Sequence, residues 1–221
     1  MSWLVPESLA YTPWMMRFTI FAPWLGIALS LLLLCGCVAR VAPPAPQTLA
    51  QPVDIYLLDH GRHASLVLPH EKGGVARYSF GDWRWYVEGK QRFWSGAAAM
   101  LWPTKAGLGR GLYPHADLPQ DIDLLAPEGL SEAYVLQAEL QQVRLLQRQL
   151  DRHFAQQAFF TPVYSATHGL DFVPYPRRYT AFHQSNLKVA QWLRALNMGI
   201  TGSPWLSNWE VEGHETVPNP F

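Results

Sequence analysis

Asp59-His60-Gly61-Arg62-His63-Ala64-Ser65-Leu66-Val67-Leu68-Pro69 is the stretch that decides how this chain folds. His63 to Leu68 has strand length and stops at Pro69, which lacks the N–H that a sheet interior requires. Just upstream, Val53-Asp54-Ile55-Tyr56-Leu57-Leu58 is a second, mostly apolar run of strand length. The polar break between them holds Gly61, the mark of a turn or bulge. Alternation puts His63, Ser65 and Val67 on one face and Ala64, Leu66 and Leu68 on the other. These are the first two strands of a domain.

Further along, Arg77 to Phe80 reads as a third strand, ended by Gly81-Asp82. An aromatic segment follows, Trp83 to Trp102, in which Trp83, Trp85 and Tyr86 suit a core. Trp94 and Trp102 suit the rim of a groove. A glycine-rich loop is expected around Gly107, Gly109 and Gly111. Tyr134 to Leu140 is a strand or the start of a helix. From Gln141 to Gln157 the reading is firmer: Val143, Leu146, Leu150 and Phe154 recur at helical spacing, with Arg144, Arg148 and Arg152 on another face. Phe159 to Arg178, with three prolines, reads as mostly loop. Ser185 to Leu196 is a second helix, with Ser185 as its N-cap and Asn197 to Gly199 as its end. The expected class is α+β: an antiparallel sheet packed against helices, one of them opening at Ser185 and lying on the strand that begins at His63.

Upstream of this domain, Arg17 is followed by an apolar run, Phe18 to Leu34, and then by Leu34-Cys35-Gly36-Cys37. A cation, an apolar stretch and small residues before a cysteine form the layout of a bacterial secretory signal. The run is interrupted by Pro23 and lies at the short end for a membrane span, which needs about 20 apolar residues, so an uncleaved anchor is the weaker reading. Met1 to Trp14 contains Glu7, Pro6 and Pro13, which suit no signal; Met15 or Met16 before Arg17 is the better start. The expected organisation is a signal over 1–37, a Pro- and Ala-rich tether over 38–52, and one domain over 53–221.

The chain has equal numbers of basic and acidic residues, 17 of each, which removes the electrostatic case for nucleic acid. Its two cysteines, Cys35 and Cys37, both lie at the signal's end. The domain itself therefore has no thiol: no disulfide, no cysteine nucleophile and no zinc–thiolate site. Nothing in the sequence calls for a cofactor. His60 and His63 are three apart, which puts them on opposite faces of a strand; a turn at Gly61 would bring them together, but no second pair nearby completes a metal site. No metal is expected.

Two constellations are able to carry chemistry. His63 leads a strand, where a general base is held rigidly; its plainer role is a histidine satisfied by backbone. Phe182-His183-Gln184-Ser185-Asn186 opens a helix, whose N–H groups stabilise developing negative charge; the plainer role of Ser185 is the cap.

Together, Asp59 to Pro69, Tyr78-Ser79-Phe80-Gly81-Asp82-Trp83-Arg84-Trp85-Tyr86 and Tyr179 to Leu193 resemble a bacterial envelope domain-of-unknown-function family, some of whose members are labelled urease-associated. Its layout is similar to the circularly permuted NlpC-type, papain-like superfamily, which includes lecithin:retinol acyltransferase relatives. The resemblance implies His63 as base and Asp82, or less well Ser79, as its orienter. Ser185 stands where the family has its cysteine, followed by Asn186, with His183 beside them. The ending Leu34-Cys35-Gly36-Cys37 likewise resembles a lipobox. It implies a lipid on Cys37, with Val38 after it resembling the default that leads to the outer membrane, facing the periplasm.

A serine hydroxyl is a far poorer nucleophile than a thiolate and needs a well-placed base and oxyanion hole. Three readings follow. The chain is a catalytically impaired relative that binds a cell-wall, peptide or lipid ligand. Alternatively it is a serine-type hydrolase or acyltransferase using Ser185, His63 and Asp82 on an envelope amide or ester. Or it is a structural lipoprotein with no site.

Overall fold

The structure, a computed structural model, describes residues 38–89, 102–157 and 159–213. The apolar run, Cys37 and Trp94 lie outside the described residues.

The strand expected from Val53 is β2, Pro52–Asp59, and the one expected from His63 is β3, Ala64–Pro69. They pair antiparallel, with Leu58 opposite Ser65. Between them His60 N–H donates to the His63 carbonyl at 2.9 Å. Gly61 has φ +80°, a left-handed conformation in which a side chain would be strained. β4, Val75–Asp82, follows β3. The main sheet then takes β5, Thr104–Tyr113; β6, Glu132–Glu139; β7, Val163–Ser165; and β8, Leu170–Tyr179. Its order is β6-β2-β3-β4-β5-β8-β7, antiparallel throughout. The short helix α1, Trp83–Tyr86, follows β4, and α2, Ile122–Leu125, precedes β6. α3, Leu140–Gln156, continues directly from β6, and α4, Ser185–Ala195, follows β8.

Strand alternation sorts the core into two sides. On the first face Leu66, Leu68, Tyr78, Phe80 and Leu108 pack with Val143, Leu146, Leu150 and Phe154 of α3 and with Val189, Trp192 and Leu193 of α4. That is the apolar stripe expected of α3, and α4 lies on β3 and β4. On the second face Tyr56, Leu58 and Val67 meet Ile122 and Leu125 of α2, while Trp83, Tyr86, Leu170 and Phe172 form a separate aromatic group. Fold class is therefore α+β with a mostly antiparallel sheet.

Three expectations are corrected. The glycine-rich loop is strand β5. Its glycines make room for aromatic rings: a Cβ on Gly109 would lie 2.6 Å from the Phe172 ring, and one on Gly111 would lie 2.7 Å from the Tyr113 hydroxyl. The proline-bearing stretch before Arg178 contains β7 and β8. β7 pairs with β8 only as far as Phe172, so Pro174 and Pro176 lie where β8 has a free edge and no N–H is required. The tether is also partly strand. β1, Ala39–Ala42, forms a three-stranded sheet between β10, Trp209–Val211, and β9, Gly199–Gly202, and buries Ala39 and Val41 fully. After it comes a 3₁₀ turn, Pro46–Thr48. Two apolar side chains at alternate positions outweighed a composition rich in Pro and Ala. No helix among the described residues is long and apolar enough to cross a membrane.

Candidate functional site

Arg77 is the centre of the polar cluster. A lone arginine in the apolar run of β4, it points to the second face with Ser65 and Ser79 and is fully buried. A buried guanidinium has to be paired and hydrogen-bonded. Its Nε donates to Ser65 Oγ at 2.9 Å, and one terminal nitrogen donates to the His168 carbonyl at 3.1 Å and to the Leu125 carbonyl. Both terminal nitrogens fork the Glu128 carboxylate. The second also donates to His60 Nε2 at 3.1 Å.

His60 has no unused nitrogen. Its Nδ1 is 2.7 Å from the Gly129 carbonyl, which only accepts, so Nδ1 carries the proton. Its Nε2 accepts from Arg77 and from the Ser65 hydroxyl at 2.9 Å. Burial, with His63 and Arg77 nearby, holds its pKa well below the ordinary imidazole value. His63 stacks on His60 with ring centroids 4.5 Å apart and meets the edge of Tyr86 at 5.4 Å. Its Nε2 lies 3.6 Å from Glu128 Oε1, beyond hydrogen-bond length. Burial lowers its pKa too, against the pull of Glu128. His168 shares Ser165 Oγ at 2.9 Å, and burial holds its pKa down to about 4. For Glu128 burial acts upward, but His63 and Arg77 outweigh it and keep the carboxyl well below the usual range. At neutral pH the cluster is one carboxylate, one guanidinium and three neutral histidines.

The turn at Gly61 does bring His60 and His63 together, and Glu128 joins them, with ligand atoms all within 4.8 Å of one another. The donor set does not suit a cation. His60 is committed at both nitrogens, and Glu128 is forked by Arg77. A metal ion there would sit against a buried positive charge.

Among the described residues no hydrogen bond joins the three residues expected to form a triad. Asp82 caps α1, accepting from Trp85 N–H at 3.0 Å, and takes a further hydrogen bond from the Thr104 hydroxyl. Ser185 is buried. Its N–H and its hydroxyl face the Tyr179 phenol, and its hydroxyl lies 3.4 Å from Gln184 Oε1. Tyr179 packs on the first-face core and also lies near Tyr86, the ring that His63 meets edge-on. Among the described residues no hydrogen bond links Ser185 to His63. The N-cap is also corrected: Gln184, not Ser185, caps α4, accepting from Asn186 N–H at 2.9 Å. Asn186 Nδ2 reaches the Arg62 carbonyl at 3.5 Å, and its buried Oδ1 has no hydrogen-bond partner among the described residues. Ser79 lies beside Tyr86 on the second face. His183 is elsewhere, with Nδ1 on the Arg178 carbonyl at 2.8 Å and its ring on the edge of Phe80.

The sequence reading missed Arg77, Glu128 and His168 as site residues. Arg77 had a signal, since a charge alternating with apolar residues in an inner strand needs a partner. Glu128 and His168 lie in turns and had none. Of the groove-rim expectation, Trp102 is indeed exposed, at 77%. A groove of about 280 Å³ lies instead between α3 and α4, lined by Leu150, His153, Tyr175, Lys188 and Trp192, and shares no residue with the His63 cluster. Comparison with family models, curated proteins and solved structures gives no match.

Proposed function

We propose that this chain is a lipoprotein of the bacterial cell envelope, anchored through Cys37 to the outer membrane and facing the periplasm. In this reading its domain is a catalytically impaired relative of the papain-like amidases and acyltransferases, and it works by binding. One observation carries the reading: the Ser185 hydroxyl is buried against Tyr179 and Gln184, while His63 belongs to a cluster closed by Arg77 and Glu128. A nucleophilic serine needs a base within hydrogen-bond reach, and among the described residues no hydrogen bond joins Ser185 to His63 or Asp82. The groove between α3 and α4 is lined more by polar than by apolar surface, with Arg152, His153 and Lys188 beside Leu146, Leu150 and Trp192, and is where the binding reading would place a polar ligand.

A second reading keeps catalysis. Its support is the Glu128 carboxylate 3.6 Å from His63 Nε2, which gives His63 an orienter other than Asp82. Treatment of the purified protein with a fluorophosphonate probe separates the two. The binding reading expects no covalent label on Ser185; a label that disappears in His63→Ala supports the serine enzyme.

A further inference from the structure

Three large apolar side chains near the start of the domain face solvent: Phe182 is 76% exposed, Leu206 53% and Trp205 43%. Phe182 and Trp205 meet edge to face at 5.3 Å, so they form one surface. Gln184 Nε2 donates to the Trp205 carbonyl at 2.7 Å, fixing that loop to the start of α4. The same loop clasps the beginning of the domain. Ser203 N–H donates to the Val38 carbonyl at 3.0 Å, and Ala39 N–H donates to the Asn208 carbonyl at 2.9 Å.

Val38 is bonded directly to Cys37. Because β1 begins at Ala39, no tether separates the lipid attachment point from this loop. Consecutive Cα atoms are about 3.8 Å apart, so a lipid on Cys37 would hold the loop at the membrane surface. Two exposed arginines have their backbone at the start of α4: the Arg62 carbonyl accepts from Asn186 Nδ2 and the Arg178 carbonyl from His183 Nδ1. Aromatic and aliphatic side chains edged by arginine suit the boundary between acyl chains and anionic headgroups.

We propose that Phe182, Trp205 and Leu206 form a docking surface for the lipid bilayer, so that the domain lies against the membrane in a fixed orientation rather than swinging from its anchor. The proposal extends the lipoprotein reading and can be tested apart from it. The membrane-reconstituted full chain is labelled with an environment-sensitive dye at Leu206→Cys. A separate preparation is labelled at Leu145→Cys, on the solvent side of α3. Vesicles contain phosphatidylcholine, phosphatidylglycerol and a spin-labelled lipid, and wild-type labelling is subtracted.

The dye at Leu206 should be quenched severalfold more than the dye at Leu145, and Phe182→Ser with Trp205→Ser should remove the difference. Equal quenching at both positions overturns the proposal and would leave the patch to a protein partner. The mass of the Cys37 peptide tells the two failures apart. Lipid on Cys37 without selective quenching removes the docking surface and keeps the anchor. Selective quenching with an unmodified Cys37 keeps the surface and removes the anchor.

Discussion

Replacing Glu128 with glutamine should destabilise this protein more than any ordinary surface change. Arg77 is fully buried, and the side chain of Glu128 is only 8% exposed, so the guanidinium has little water to turn to. Its other partners are a hydroxyl, two carbonyls and a neutral imidazole, which are dipoles without charge. Stripping the counter-charge from a buried ion pair costs about 3–5 kcal/mol. Glutamine keeps one accepting oxygen, so the lower end, about 3 kcal/mol, is expected. With a urea slope of about 1–3 kcal/mol/M, the unfolding midpoint should fall by roughly 1–3 M. Tryptophan fluorescence would follow the transition. The double variant Arg77→Met, Glu128→Gln removes both charges and should be more stable than Glu128→Gln alone, since an uncompensated charge is what the single change leaves behind. A loss within about 0.5 kcal/mol in the single variant, typical of surface sites, would refute the reasoning.

Acid should destabilise the fold in two stages. His60, His63 and His168 have folded pKa values below the ordinary imidazole value, so the unfolded chain binds more protons once pH drops below about 6.5. Stability is full above that pH and is lost on the way down, with each histidine adding up to about 1.4 kcal/mol per pH unit. Glu128, also depressed, extends the loss below the ordinary carboxylate range. Urea midpoints should hold steady from pH 7.5 to about 6.5 and fall from there to pH 4; a profile flat down to pH 4 would show that the histidines are not held neutral. Leu150→Ala should lose about 2–5 kcal/mol in the same assay, because Leu150 is buried in the stripe that α3 turns to the sheet. Gln184→Ala should lose about 1 kcal/mol as the removal of a helix cap, and more than Ser185→Ala, whose hydroxyl caps nothing. The opposite order would return the cap to Ser185.

The strands and helices legible in the sequence were those with a clean period. β3, α3 and α4 show one, β2 was legible as an apolar run of strand length, and all four lie within a residue or two of where the sequence placed them. β5 and β8 were hidden because glycine and proline normally break structure. Here the glycines yield space to Phe172 and Tyr113, and the prolines occupy a free edge. Such reasons exist only once the neighbours are known. The same limit governs the site. His63 stood out because it leads a strand, and alternation placed its side chain with Ser65. But its companions come from far along the chain: Arg77 from β4, Glu128 from a turn before β6, His168 from the turn before β8. Ser185 and Asp82 were drawn to His63 by resemblance to a family layout. Their hydrogen bonds among the described residues go to local partners instead, Ser185 to Tyr179 and Asp82 to Trp85 N–H as the N-cap of α1.

The most direct test of the binding reading is the reactivity of a thiol placed at Ser185. With Cys37 lipidated, the Ser185→Cys variant has a single free thiol, at the position where the resembled family has its nucleophile. Its alkylation rate by iodoacetamide, measured with and without His63→Ala, reports whether His63 activates that position. The account predicts slow labelling, because the side chain is buried, and the same slow rate in both backgrounds, because among the described residues no hydrogen bond joins His63 to it. Rapid labelling that His63→Ala abolishes would contradict the account and show an intact catalytic pair.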